Sequence, residues 1–167
     1  MTRIRNRDEA DAAACLEALR TVYQASGYPV NWPADPARWL RPSRTLRAWV
    51  AATGDIPVAG HVILRQPLPD KHSAEVSRLF VVPAARRQGV ASALLEAAMR
   101  SAAASDLDLF LDVTADLHAA RALYQRAGFH LVSTAQADRT TPDGHPVTLH
   151  RFAWSPSRRT HSENPPT

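Results

Sequence analysis

Apolar residues recur along this chain at two different spacings, and the spacing predicts which segments are strands and which are helices. Between residues 107 and 113 every second residue is apolar, which is typical of a strand with one buried face. Between residues 119 and 127 the apolar positions recur at intervals of three and four, which predicts a helix with one apolar face. Asp116 is expected to cap this helix at its N-terminus, and Gly128 to end it.

The same patterns in the rest of the chain predict a mixed α/β (α+β) protein with the order β-α-β-β-β-α-β-α-β-β. Strands are expected at residues 2–5, 46–52, 58–64, 75–82 and 108–113 and in two closing segments that end near residue 154, and helices at 8–25, 91–104 and 119–127. Gly54 and Asp55 mark a hairpin turn, and the prolines between residues 28 and 42 allow at most one short helix. We expect a single domain over residues 1–154 and a disordered tail over residues 155–167, which are polar and lack periodicity.

Composition narrows the class of protein. No apolar stretch approaches the roughly 20 residues of a membrane span, and a hydrophobic content of 45% is normal for a globular chain. Cys15 is the only cysteine, which excludes an internal disulfide and a multi-cysteine metal site; we expect a core position for it, no bound metal and a cytoplasmic location. The net charge of +4 comes from scattered arginines, so neither nucleic acid nor membrane is an expected partner.

The segment between residues 79 and 95 has the clearest chemical signature. An apolar strand ends at Pro83, a loop containing Arg86 and Arg87 follows, and Gly89 opens an apolar helix. Backbone N–H groups and the positive end of the helix dipole then point at one spot beyond the strand, which favours a phosphate there. The segment has neither the G-x-G-x-x-G fingerprint of dinucleotide sites nor the G-x-x-x-x-G-K-[ST] loop of nucleoside triphosphate sites.

Two motifs carry a resemblance to a known family. The first is R-x-x-G-x-A, formed by Arg86, Gly89 and Ala91 between a strand and a helix. The second is A-x-x-L-Y-x-x-x-G-F, which begins at Ala120 and ends at Phe129. In this order they resemble the acyl-CoA pyrophosphate loop and the groove-closing helix of the GCN5-related N-acetyltransferase (GNAT) family.

The chain departs from the family pattern at two positions. Leu117 stands where many members have an asparagine that contacts the pantetheine arm, so that contact is either absent or made by Asp116. Ala91 stands where many members have glycine, and alanine is an accepted variant there. Neither departure argues against acyl-CoA binding.

The resemblance implies the GNAT fold, in which a central, mostly antiparallel twisted sheet flanked by helices is splayed open at the cofactor site. It also implies acetyl-CoA as co-substrate, bound by the strand before the loop, the loop itself and the first turn of the helix. The cofactor-binding residues expected on this basis are Phe80, Val81, Val82, Arg86, Arg87, Gln88, Gly89, Val90, Ala91 and Ser92.

Acetyl transfer to an amine needs a base, because most amines are protonated at neutral pH, and a proton for the departing thiolate. Glu75 aligns with the glutamate base of the histone-modifying branch of the family, although a plain strand carboxylate or an ion-pair partner of Arg78 would explain it equally well. His72, His118 or a water chain are the alternative bases. The resemblance places the Tyr124 hydroxyl beside the cofactor sulfur, where it would act as general acid.

The oxyanion is expected to meet a backbone N–H group, and a splayed strand would leave such groups free at Val81 and Val82. No covalent acyl-enzyme is needed, so direct transfer in a ternary complex is expected. Two functions of different class remain open: an N-acetyltransferase, and an acyl-CoA-binding sensor or interaction module with weak catalysis. Substitution of Glu75 by glutamine separates them, since only an enzyme would lose turnover.

In this fold the acceptor is bound by the first helix, the loop after it and the last hairpin. Tyr28, Trp32 and Asp35 are the expected substrate-binding residues, because aromatic walls suit a ring or an alkylamine and a carboxylate attracts an ammonium group. Trp39 and Trp49 are expected to fill the core. The acceptor class stays open between a small-molecule amine and a peptide or protein amine, and homodimers are common among similar proteins.

Overall fold

The computed structural model describes residues 1–156, and the expected tail lies outside the described residues from residue 157 onward. Within the described range the strands are β1 (Thr2–Asn6), β2 (Thr45–Thr53), β3 (Ile56–Arg65), β4 (Ser73–Val81), β5 (Asp108–Thr114), β6 (His130–Thr140) and β7 (Pro146–Trp154). The α-helices are α1 (Ala12–Ser26), α2 (Pro36–Trp39), α3 (Val90–Ala104) and α4 (His118–Arg126). The predicted order is confirmed, with α2 as the short helix of the proline-rich segment.

The strands form one sheet in the order β1-β2-β3-β4-β5-β7-β6. Neighbouring strands are antiparallel except β4 and β5, which are parallel because α3 carries the chain back across the sheet between them. This is the mixed α/β, mostly antiparallel architecture that the sequence predicts. Among residues 1–156, no helix combines the length and the apolar character needed to cross a bilayer.

Helix α3 lies close against β3 because Gly60 has no side chain at their contact. A Cβ atom on Gly60 would come within 2.8 Å of Leu94 Cδ1 and 3.0 Å of Val90 Cγ1. Both of these side chains are fully buried, so the helix could not move away without opening the core. Gly60 therefore fixes where α3 begins.

Helix α4 ends in a Schellman turn at Gly128. The Phe129 N–H donates to the Tyr124 carbonyl at 3.0 Å, and the Gly128 N–H donates to the Gln125 carbonyl at 3.1 Å. Gly128 has a φ of +100°, a conformation that favours glycine. The predicted stop of this helix is confirmed, and the turn holds Tyr124 in place at the end of α4.

The predicted N-cap of α4 is wrong. The helix begins at His118, its N-cap residue is Leu117, and no side chain caps it. The Leu117 N–H donates to the Thr114 carbonyl at 3.1 Å, which completes a turn before the helix starts. Asp116 lies inside that turn, one residue too early for its carboxylate to accept from the first helical N–H groups.

Strands β4 and β5 pair over a short stretch and then separate. The parallel pairs are Ser73 with Asp108, Ala74 with Leu109 and Glu75 with Phe110. Beyond Glu75, β4 pairs only with β3, whereas β5 continues beside β7. The resulting gap is the splay that the family resemblance implies, and Glu75 lies where it opens.

A β-bulge at Arg78 bends β4 beyond this point. The pairing skips from Phe80 to Ser77 on β4 but only from His61 to Ile63 on β3, so β4 carries one extra residue. Arg78 accommodates the bulge with a φ of +53°, which is uncommon outside glycine. The bulge increases the divergence of β4 from β5.

Candidate active site

The N-terminus of α3 presents a group of unpaired backbone donors. The first hydrogen bond of the helix runs from the Ala93 N–H to the Gly89 carbonyl at 3.0 Å. The N–H groups of Val90, Ala91 and Ser92 therefore lack an intrahelical acceptor, and no side chain caps them. Together with the helix dipole they form a site that fits a phosphate anion.

Gly89 keeps the space in front of these donors open. It has a φ of +75°, and a Cβ atom there would meet nothing within 4 Å. Arg86 donates to the Ser26 hydroxyl at 3.2 Å, and Gln88 donates to the Ala84 carbonyl at 3.2 Å. Arg87 is exposed and forms no ion pair within the described residues, so its guanidinium can pair with a bound anion.

The N–H groups of Val81 and Val82 are the two backbone donors expected on β4, and only that of Val81 is available to a ligand. The Val82 N–H donates to the Ala59 carbonyl at 2.9 Å, and the Val82 carbonyl accepts from the Ala85 N–H at 3.0 Å. Val82 is therefore excluded as a free backbone donor, because both of its backbone groups are already used. Since successive residues of a strand point their N–H groups to opposite sides, the Val81 N–H faces the gap that β5 has left.

Glu75 lies at the end of the pairing between β4 and β5. Its side chain is 18% exposed, and its Oε1 lies 3.4 Å from Arg65 Nε. Arg65 Nε is buried without a hydrogen-bond partner, so this contact is an ion pair and not an aligned hydrogen bond. The ion-pair partner of Glu75 is therefore Arg65 and not Arg78.

Tyr124 lies on α4 with its ring between Phe129 and Phe152, at centroid distances of 6.1 and 6.3 Å. Burial raises the pKa of Tyr124 well above its usual value, and the nearby Tyr28 raises it further. The Tyr124 hydroxyl makes no hydrogen bond to residues 1–156, and the residue as a whole is buried, at 8% exposure. The phenol therefore stays protonated and has its donor available.

Tyr28 lines the side of the sheet that α1 and α2 cover. Its ring packs edge-on against Trp39 at 6.1 Å and lies 6.2 Å from the ring of Phe80. Burial raises the pKa of Tyr28 to about 12, so it too remains a neutral phenol. The charge of Glu75, the expected base, also raises the pKa of Tyr28.

The other two expected acceptor residues have structural contacts of their own. Trp32 packs on Tyr23 at a centroid distance of 5.1 Å. Asp35 is the N-cap of α2, and its carboxylate accepts from the Arg38 N–H at 3.0 Å. A role for either in acceptor binding stays a prediction. Near them, Asn31 donates to the Thr140 carbonyl at 3.1 Å, which ties the loop after α1 to the β6–β7 hairpin.

The sequence predicts core positions for Cys15, Trp39 and Trp49, and the structure buries two of these three residues. Cys15 and Trp49 are buried, at 1% and 6% exposure, as predicted. Trp39 is only half-buried and packs at the edge of the core, where Arg78 lies over its ring at 4.5 Å.

His72 and His118, the alternative bases, are both exposed. Within residues 1–156 no cluster of three metal-ligating side chains occurs.

Sequence reasoning missed His61 and Arg78. His61 is fully buried and bonded on both ring nitrogens, to the Arg78 carbonyl and to the Arg7 guanidinium. A histidine within the apolar run 58–64 was a signal for a buried partner, since a polar side chain in the core must be hydrogen-bonded. Arg78 had no comparable signal, because its position depends on the bulge.

Comparison with known proteins agrees with this geometry. A model of the Acetyltransferase (GNAT) family matches residues 13–129. The ribosomal-protein-S18-alanine N-acetyltransferase from Escherichia coli is 21% identical, covering 98% of this chain and 99% of that one with a TM-score of 0.78. A GCN5-related N-acetyltransferase from Kribbella flavida is 27% identical, covering 92% and 97% with a TM-score of 0.73. The yncA protein from Salmonella typhimurium, solved with its cofactor acetyl-CoA, is 17% identical, covering 95% and 96% with a TM-score of 0.77. No curated protein sequence matches the chain.

Proposed function

The chain belongs to the GNAT acetyltransferase family, and on that premise we propose that it transfers an acetyl group from acetyl-CoA to a primary amine by direct attack in a ternary complex. One observation carries the proposal. The gap between β4 and β5 has the open N-terminus of α3 beyond one end and Glu75 at the other. An uncapped helix N-terminus that fits a phosphate, and a carboxylate along the same gap, support a transfer from a phosphate-bearing donor to an amine.

Acetyl-CoA, the acyl donor of the family, supplies an activated thioester and a pyrophosphate by which it is held. The N–H groups of Val90, Ala91 and Ser92 would bind the pyrophosphate, and Arg87 would add a charge-assisted contact. Gly89 keeps that approach open. These residues fit an anion, because they are donors without internal partners.

Glu75 is the proposed base. An amine reaches the site mostly as an ammonium ion, which has no lone pair to attack with, so its proton must leave first. The Glu75 carboxylate accepts this proton directly or through one water, and the amine nitrogen then bonds to the acyl carbon as the carbon–sulfur bond breaks. The nitrogen loses its second proton as the amide forms, and this proton replaces the one that the leaving sulfur takes up. Arg65 Nε lies 3.4 Å from this carboxylate and orients it.

Val81 and Tyr124 are proposed to stabilise the charges that develop. The Val81 N–H donates to the carbonyl oxygen as it gains negative charge. The Tyr124 hydroxyl donates to the sulfur as it leaves; because burial raises the pKa of Tyr124, the phenol holds its proton until that moment. A cysteine nucleophile is disfavoured, since burial raises the pKa of Cys15 to about 11 and its side chain lies in the core.

The first test is calorimetric titration of the purified chain with acetyl-CoA and, in parallel, with CoA. Micromolar binding of both is expected, followed by thiol release when an amine panel is added. Absence of binding would overturn the proposed function. Initial rates measured against both substrates should give intersecting double-reciprocal lines, whereas parallel lines would exclude the ternary complex. Binding without turnover of any amine would favour the sensor or interaction module.

A further inference from the structure

Arg78 is a half-buried cation without an acidic partner. Its Nε donates to the Trp39 carbonyl at 3.3 Å, and its NH1 donates to the Ser77 hydroxyl at 2.7 Å. The guanidinium lies over the Trp39 ring at 4.5 Å, which fixes its plane. An arginine has five N–H donors, so three of them remain unpaired by residues 1–156. No carboxylate in this range forms an ion pair with it.

The charges around Glu75 do not balance. The charges of Arg65, Arg139 and Glu75 act on Arg78, and those of Asp112 and Glu75 act on Arg151. Two of the arginines have carboxylate partners: Arg65 with Glu75 at 3.4 Å, and Arg151 with Asp112 at 2.9 Å through two parallel contacts. The other two arginines have none among the described residues. Arg78, whose charge interacts with that of Glu75, is therefore not neutralised by any carboxylate of residues 1–156.

Arg139 lies where an acceptor would enter. It precedes Thr140, whose carbonyl accepts from Asn31 in the loop after α1. Arg139 is exposed, and its charge acts on both Tyr28 and Arg78. The β6–β7 hairpin thus carries one cation without a carboxylate partner in residues 1–156, and β4 carries another.

This arrangement is unfavourable for a simple cationic amine. An ammonium ion that approaches Glu75 would be repelled by the Arg78 guanidinium, which no carboxylate of residues 1–156 neutralises. An amine that also bears an anion would neutralise this guanidinium and could accept from its unpaired donors.

We propose that the acceptor bears a carboxylate close to its amine, as an α-amino acid does, and that Arg78 binds this carboxylate with Arg139 assisting at the entrance. The proposal rests on the proposed function, because it names the substrate class of the same site. Arg78 is then a specificity-determining residue, and polyamines and other purely cationic amines are excluded as good acceptors.

The test uses matched pairs of amines: the proteinogenic α-amino acids, each beside its α-carboxamide, with spermidine as the cationic reference. Each amine is titrated calorimetrically into the chain saturated with CoA, which binds but cannot transfer an acetyl group, and is then assayed for thiol release with acetyl-CoA. At least one amino acid should bind and react roughly 10- to 100-fold better than its carboxamide, the range expected for one charge-assisted pair.

Arg78→Gln should abolish this preference, and Arg139→Gln, at an exposed position with little influence on folding, should reduce it. Arg100→Gln, at an exposed position on α3, is the matched control and should leave the preference unchanged. Two outcomes with normal acetyl-CoA binding would contradict the carboxylate subsite: carboxamides or spermidine that react as well as the amino acids, or no reaction with any amino acid. Neither outcome would contradict the proposed function. If the preference persists in both variants, the assignment to Arg78 and Arg139 is wrong. If acetyl-CoA itself does not bind, the proposed function fails first.

Discussion

His61 on β3 is bonded to the backbone of the bulge in β4: its Nδ1 lies 2.9 Å from the Arg78 carbonyl oxygen. Its Nε2 lies 2.7 Å from Arg7 NH1, which also donates to the Leu40 carbonyl at 2.6 Å. A carbonyl can only accept and a guanidinium can only donate, so the ring must be neutral with its proton on Nδ1. The ring also stacks on Phe80 at 5.0 Å. One neutral histidine thus supports the bulge that separates β4 from β5.

We predict that this histidine makes folding sensitive to acid. The pKa of His61 is lowered from 6.5 to about 4: burial lowers it most, the hydrogen bond to the Arg78 carbonyl raises it, and the cations Arg7 and Arg78 lower it. Between these two values the unfolded chain binds a proton that the folded chain does not. The free energy of unfolding should therefore fall as the pH is lowered from 6.5 towards 4, by up to about 1.4 kcal/mol per pH unit. Urea denaturation at a series of pH values measures it.

His61→Asn isolates this contribution from that of the carboxylates. Asparagine can donate to the Arg78 carbonyl, but it does not titrate, so the variant should be less stable at neutral pH and should lose stability less steeply between pH 6.5 and 5. His130→Asn, at an exposed position on β6, is the control and should retain the slope of the parent chain. Equal slopes for the parent and His61→Asn would show that His61 is not the group responsible.

The second prediction concerns the phosphate site. Gly89→Trp should abolish acetyl-CoA binding, because the indole would fill the space in front of the α3 donors. Gly54→Trp is a closely matched control: both glycines have positive φ, at +75° and +48°, and a Cβ atom added to either would have no neighbour within 4 Å. Both variants should fold with similar loss of stability, since the backbone strain is comparable. Calorimetry should show binding to Gly54→Trp alone, and loss of binding in both would indicate a general effect of the substitution.

The sequence predicts the elements of this fold well and their mutual register poorly. The order of strands and helices and the loop at Gly89 follow from local periodicity and from turn residues, which act within a few positions of the chain. The ion pair of Glu75 with Arg65 and the bond of His61 to the bulge depend on how β3 pairs with β4. Pairing register is a non-local property, and a bulge shifts it by one residue.

Asp116 and Val82 differ from expectation for a related reason. Asp116 has the side chain of an N-cap, but a preceding turn moves the start of α4 beyond it. Val82 lies on the expected strand, yet the alternation of N–H directions commits its donor to Ala59. In both cases the expected residue lies one position along the chain from the position that has the expected role: the N-cap of α4 for Asp116 and the free N–H donor for Val82.

The third prediction tests the base. Glu75→Gln should lower kcat by roughly 100- to 10,000-fold, the usual contribution of general base catalysis, while acetyl-CoA affinity changes little. Glu96→Gln, an exposed carboxylate on α3 that pairs with Arg100, serves as control and should be unaffected. An unchanged rate and pH profile for Glu75→Gln would transfer the role to His72, His118 or a water chain.

The last prediction separates the role of the Tyr124 hydroxyl from that of its ring. Tyr124→Phe keeps the packing against Phe129 and Phe152, and the hydroxyl has no hydrogen-bond partner in residues 1–156 whose loss would destabilise the fold. The melting temperature should therefore change little, whereas kcat should fall on the order of 100-fold, as for removal of one catalytic donor. If release of CoA from the enzyme limits turnover, the steady-state rate would not show the effect of the substitution on the chemical step. Single-turnover rates are therefore the measurement. Tyr23→Phe, whose ring packs on Trp32, is the control, and equal rates for both variants would mean that another group protonates the thiolate.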